Sequence, residues 1–194
     1  MRFLDKDTIQ LDKVENELDR FVLGFTGILE KYTKYVIISG YIAILFGRNR
    51  TSEDVDVFVE KFPDFDAFLA EIHKNGYWII NEDRGDAFSM LQEGLAIRIA
   101  KSNTFEPNIE MKFPKRGTDF YSLENRIKVI LGSGTLQVGS LELSIAYKLF
   151  LGSEKDIEDA RFLFKLLGNN IDTGMLKTFV RQLKVEDVFK RYLA

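Results

Sequence analysis

The strongest constraint on this chain is the order of features between residues 35 and 59. A β-branched run, Tyr35-Val36-Ile37-Ile38, meets a Ser39-Gly40 pair. A short apolar stretch over 41–46 follows and is closed by Gly47. Residues 48–53 form a polar loop bearing Arg48 and Arg50, and Asp54-Val55-Asp56-Val57-Phe58-Val59 then alternates with period two. The first run reads as a buried strand, 41–46 as a short helix, and 54–59 as a strand with both aspartates on one face. Positions i and i+2 of a strand lie about 6–7 Å apart, so the two carboxylates can converge on one divalent cation. Two negative charges this close need a cation or a shared proton. Mg²⁺, or Mn²⁺ in its place, fits because it takes oxygen ligands and leaves room for phosphate oxygens. The small Ser39-Gly40 pair lets the backbone approach a phosphate at a strand-to-helix junction. An isolated Asp-x-Asp more often marks two solvated side chains on an edge strand; the ordered frame around this one favours the metal site.

Composition narrows the chemistry further. The chain has no cysteine and a single histidine, His73, which excludes disulfides, thiolate catalysis and Cys/His metal clusters. A net charge of -3 leaves any nucleic-acid binding to a local basic patch, such as Lys112, Lys115 and Arg116. No apolar run approaches the roughly 18 residues of a membrane-spanning helix, and the N-terminus lacks a charged-then-apolar signal pattern. The expected compartment is the cytoplasm.

Elsewhere, apolar residues at helical spacing predict a helix over 11–32 and another over 62–75, closed by Gly76. Residues 77–81, 87–92 and 95–100 read as three short strands of a meander. Residues 108–113 form an alternating strand, with Ile109, Met111 and Phe113 on one face and Glu110 and Lys112 on the other. Residues 126–131 and 135–138 suit a hairpin around Gly132-Ser133-Gly134. From Ser140 onward the pattern is helical: 141–151, a helix from Ser153 to Leu167 that stops at Gly168-Asn169-Asn170, a third capped by Asp172, and a last over 186–193. A boundary near residue 139 therefore divides the chain into a mixed α/β domain, 1–139, and a helical C-terminal lobe, 140–194.

The stretch from Ile38 to Val57, with Ser39-Gly40 and Asp54-Val55-Asp56 at its ends, resembles the signature of the DNA polymerase β-like nucleotidyltransferase superfamily. Within it, the stretch is similar to the branch holding the AbiEii-type and MenT-type toxin nucleotidyltransferases. Ser39 stands where glycine is usual. The resemblance implies an α+β fold, a mixed sheet with flanking helices followed by a helical lobe. It also implies that Ser39 and Gly40 contact a triphosphate and that Asp54 and Asp56 bind Mg²⁺. Catalytic members carry a third carboxylate on a later strand. Glu110 is the candidate, and it reads equally as an exposed residue paired with Lys112. If the strand around Arg98 faced the site instead, the third acid would be missing.

A second block, Lys148 with Lys155-Asp156 and Asp159, is similar to the K…[RK]-D-x-x-D pattern of AbiEii-like members, with lysine at 155 where arginine is common. By that resemblance Lys148 binds nucleotide phosphate, and Asp156 or Asp159 orders the pocket or the lobe interface; the alternative is a solvated helix face. Arg48 and Arg50 either engage triphosphate or belong to a solvated loop. The implied activity is Mg²⁺-dependent transfer of a nucleoside monophosphate from an NTP to an acceptor hydroxyl on RNA (tRNA), a protein or a small molecule. The rival reading is a non-catalytic nucleotide-binding member, half of a toxin–antitoxin pair with an antitoxin partner.

Overall fold

A computed structural model describes residues 1–82, 86–132 and 134–193. Among the described residues nine strands form one mixed sheet in the order β1-β2-β8-β9-β3-β4-β7-β6-β5. In chain order they are β1 (Arg2–Phe3), β2 (Thr8–Leu11), β3 (Tyr35–Ile37), β4 (Asp54–Val59), β5 (Tyr77–Ile79), β6 (Ile97–Lys101), β7 (Asn108–Lys112), β8 (Ile127–Leu131) and β9 (Gly134–Val138). The helices are α1 (Glu17–Leu29), α2 (Gly40–Leu45), α3 (Phe65–Lys74), α4 (Ala87–Gln92), α5 (Gly117–Glu124), α6 (Leu141–Leu151), α7 (Glu154–Leu167), α8 (Thr173–Gln182) and α9 (Glu186–Tyr192).

β4 occupies the interior of the sheet because Val55, Val57 and Val59 present a continuous apolar face with no solvent exposure. It runs antiparallel to β3 and parallel to β7, with Asp56 opposite Glu110 and Phe58 opposite Lys112. β3 is closed on its other side by parallel β9, where Ile37 pairs with Val138. The apolar core is continuous from Phe25, Leu29 and Phe68, through the sheet, to Ile145, Leu149 and Leu163 of the C-terminal helices.

Helix starts follow from capping chemistry. Asn16 and Asp19 form a reciprocal capping box at α1; Asp64, Ser140, Ser153 and Asp172 each accept the N3 amide of α3, α6, α7 and α8. Three sequence expectations change. The helix expected over 11–32 begins only at Glu17. Residues 8–11 are β2, paired in parallel with β8 through Ile9 and Val129, and Val14 is 93 % exposed, so its match to the helical period was incidental. Residues 87–92 are helical: Asp86 accepts the Ser89 amide, and Ala87, Met90 and Leu91 are buried at helical spacing. Residues 117–124, where no element was expected, form α5. The hairpin is present as β8 and β9; its Ser133 lies outside the described residues. No helix among the described residues is long and apolar enough to cross a membrane.

Candidate functional site

Strand pairing alone assembles the centre of the site. Asp54 and Asp56 lie two residues apart on β4 and share a face, and the parallel register sets Glu110 of β7 directly beside Asp56. The antiparallel β6–β7 pair then sets Arg98 beside Glu110. The result is a row of charges across three strands: Asp56, Glu110, Arg98.

Neither carboxylate in that row is bare. Lys112, two residues beyond Glu110 on the same face, places its ammonium 3.2 Å from Asp56 Oδ1 and 3.5 Å from Glu110 Oε1. Arg98 holds the other Glu110 oxygen at 3.1 Å. Burial pushes the Asp56 carboxyl above its ordinary value, and Glu110 adds to this, against the pull of Lys112 and the Ser39 hydroxyl. Burial pulls Lys112 down, but Asp56 and Glu110 outweigh it and the ammonium is held more tightly than usual. Asp54 is exposed, with the Ser52 hydroxyl donating to it at 3.3 Å.

Among the described residues no group of three or more His, Cys, Asp or Glu is arranged to hold a metal ion. Mg²⁺ does not need one, since it is commonly held by one or two carboxylates with phosphates and water completing its shell. Asp54 and Asp56 meet that requirement. Asn108, the register partner of Asp54, adds a buried side-chain oxygen that no donor satisfies. The donor set is all oxygen and fits a hard divalent cation.

Ser39 precedes α2 with φ 65° and ψ -136°, a conformation that glycine adopts freely and L residues rarely do. This is the position where the resemblance expects glycine. Gly40 is needed for a different reason: a Cβ there would lie 2.7 Å from the Arg50 guanidinium, which donates to the Gly40 carbonyl at 2.9 Å.

Arg48 and Arg50 point toward α7. Both bind Asp159, which has no solvent exposure; Arg50 does so through two bonds of 3.1 and 2.9 Å. Arg48 also pairs with Glu158 and donates to the Lys155 carbonyl at 3.1 Å. Lys148 reaches Asp159 at 2.7 Å and Asp156 at 2.9 Å. Asp159 thus sits at the hub of three cations. Burial raises its carboxyl, but Arg50 and Lys148 outweigh that and hold it below the ordinary range; Asp156 is lowered likewise by Ser153 and Lys148. The network fixes the loop that leads into β4 against the C-terminal helices.

Between the sheet and those helices opens a cleft of about 410 Å³. Of the sequence candidates, Ser39, Asp56 and Lys148 line it, joined by the Lys112, Lys115 and Arg116 patch. Asp54, Gly40, Glu110, Arg48, Arg50, Asp156 and Asp159 are not part of the lining; the last four form the ionic network behind it. Ser144, Tyr147 and Leu151, to which the sequence assigns no role, complete the wall. Their spacing on α6, with Lys148 between them, is that of one helical face and could have flagged them.

No family model and no curated protein matches the sequence. Solved structures do match in fold. An antigenic nucleotidyltransferase-like protein from Paracoccidioides brasiliensis superimposes with a TM-score of 0.54 at 16% identity, over 90% of each chain. JHP933 from Helicobacter pylori gives 0.50 at 16% identity, over 93% of this chain and 81% of that one. MenT4, a nucleotidyltransferase toxin from Mycobacterium tuberculosis, gives 0.46 at 16% identity, over 84% and 61%, a score that decides nothing about the branch. What the first shares with this chain is the nucleotidyltransferase-like fold.

Proposed function

We propose that this chain, built on a nucleotidyltransferase fold, transfers a nucleoside monophosphate from an NTP to an acceptor hydroxyl. The observation that carries the proposal is the Asp56–Glu110 pair in register beside a cleft walled by Lys112, Lys115, Arg116 and Lys148. Four cations beside two carboxylates suit a ligand that is itself strongly anionic and arrives with a cation.

In this reading the acceptor oxygen attacks the α-phosphorus, the bond to the β-phosphate oxygen breaks, and pyrophosphate leaves. The hydroxyl proton passes to Glu110, the carboxylate next to Asp56. Asp54 and Asp56, with Asn108 beside them, would hold Mg²⁺ or Mn²⁺. When bound, the ion neutralises phosphate charge and lowers the pKa of the attacking hydroxyl. The chain's own cations do the rest: Lys115 and Arg116 reach the phosphates from the cleft mouth, and Lys148, fixed by Asp156 and Asp159, presents a positioned charge from the helical side. Partial burial of Asp56 reduces the screening of its own interactions by water.

The test is incubation with each α-labelled NTP, Mg²⁺ and total cell extract, followed by separation of RNA, protein and small molecules. Label should enter one fraction, and Asp56→Ala should cut incorporation by at least about a hundredfold. Unchanged incorporation by Asp54→Ala and Asp56→Ala would remove the proposal.

One observation favours a second reading, nucleotide binding without transfer: both Glu110 oxygens are already engaged, by Arg98 and Lys112. That reading predicts NTP retention in equilibrium dialysis, weakened by Lys148→Ala, with no label transferred to any fraction.

A further inference from the structure

We propose that Lys112 is a stand-in cation: its ammonium holds the Asp56–Glu110 pair until an NTP arrives, then moves to the triphosphate as the divalent ion takes over the charge of Asp56. The inference rests on the transferase reading above and concerns how that site is loaded.

The first support is position. The Lys112 ammonium lies between two carboxylates that face each other across the β4–β7 pair, 3.2 Å from one and 3.5 Å from the other. A divalent ion bound to Asp56 would sit against this charge and be repelled by it.

The second is an available destination. Lys112 also lines the cleft with Lys115 and Arg116, on a flexible four-carbon stem whose donors rotate freely. A triphosphate there offers it new anionic partners at the moment Asp56 acquires the metal. Lys148 cannot play this part, because Asp156 and Asp159 grip it at 2.9 and 2.7 Å in a buried position.

The third is what stays behind. Arg98 holds Glu110 by its other oxygen, so departure of Lys112 frees Asp56 Oδ1 and Glu110 Oε1 together while Glu110 keeps its place.

Metal and nucleotide binding are then coupled. Lys112 and Arg98 already balance the Asp56–Glu110 pair, so the divalent ion binds weakly alone; with nucleotide present the Lys112 ammonium has somewhere to go. By linkage the metal strengthens nucleotide binding by the same factor.

The experiment follows free Mn²⁺ by electron paramagnetic resonance during titration of the wild-type chain and of Lys112→Met. Each is measured with and without an α,β-methylene NTP analogue and corrected for uptake by the analogue alone. Without nucleotide, Lys112→Met should bind Mn²⁺ about tenfold more tightly than wild type, and the gain on adding the analogue should shrink. Lys112→Arg, which keeps the charge, should bind as weakly as wild type. Equal Mn²⁺ affinity of wild type and Lys112→Met without nucleotide would make Lys112 a permanent tether and overturn the inference, leaving the transferase reading intact. If Lys112→Met does not fold, the wild type alone decides: Mn²⁺ affinity indifferent to the analogue overturns the inference, and a gain of about tenfold supports it. No Mn²⁺ uptake by either protein under any condition removes the metal site, and the transferase reading falls with the inference.

Discussion

Replacing Asp159 by asparagine keeps the shape of the ionic hub and removes its charge. Asp159 has no solvent exposure and binds Arg48, Arg50 and Lys148. Removing one partner from a buried ion pair costs about 3–5 kcal/mol, because the remaining charge is left uncompensated. Here each cation keeps something: Arg48 keeps Glu158, Lys148 keeps Asp156, and Arg50 keeps the carbonyls of Gly40 and Thr51. The lower end of the range, about 3 kcal/mol, therefore applies. At about 2.1 cal/mol/K per residue, 194 residues give an unfolding entropy near 0.4 kcal/mol/K, so the melting temperature should fall by about 7 °C. Calorimetry and urea unfolding both read this. Glu158→Gln, whose own side chain is 56% exposed, is the control and should shift stability by no more than about 0.5 kcal/mol. If Asp159→Asn melted within about 1 °C of wild type, the cations would not depend on this carboxylate, and the network would not be what holds the loop before β4.

Four further outcomes follow. The Asp156 and Asp159 carboxyls are lowered relative to the unfolded chain, so their stabilisation is complete above the ordinary carboxylate value of 3.8 and is lost as pH falls below it; an Asp159→Asn chain should show a shallower acid-unfolding curve over that window. Ser39→Gly should relieve the positive-φ conformation and raise stability by about 1 kcal/mol, after the added freedom of the unfolded chain is subtracted; a lower urea midpoint would show that Ser39 is not strained. Tyr41→Phe removes a buried 2.8 Å hydrogen bond to Asp19 and should cost about 2 kcal/mol in urea unfolding, although Lys13 still holds that carboxylate. Gly40→Ala should perturb Arg50 and lower nucleotide affinity in dialysis with little change in helix content by circular dichroism.

The sequence was most legible where one period governed a whole element. In β4 and β7 strict alternation named the buried face, and with it the polar face that carries Asp54, Asp56, Glu110 and Lys112. Pairing Glu110 with Lys112 was one of the two readings of that strand, and the structure makes the contact while also setting Glu110 beside Asp56. Legibility failed where an element was too short to show its period. Residues 87–92 supply apolar side chains that suit either structure, and only the Asp86 cap decides. Leu11 merged into the period of α1 because a single apolar strand position cannot compete with the period of a 13-residue helix. Contacts distant in sequence were not legible at all. Arg48 and Arg50 meet a carboxylate 109–111 positions away, and nothing local to the loop indicates whether an arginine there faces a ligand or another part of its own chain.

Those same contacts bear on how the protein is made. β4 emerges early in synthesis, but the loop that aims it is tied to Asp159, and β3 beside it waits for β9 to close its other edge. A ribosome that has produced only the first hundred residues has made both aspartates and β3, but neither β7, with Glu110 and Lys112, nor the carboxylate that ties the loop before β4. The two aspartates are therefore made well before the strand and helix that complete their surroundings, and the loop before β4 gains its buried anchor only once α7 is available to dock. Degradation that removed the last helices would disable the site without touching a residue inside it.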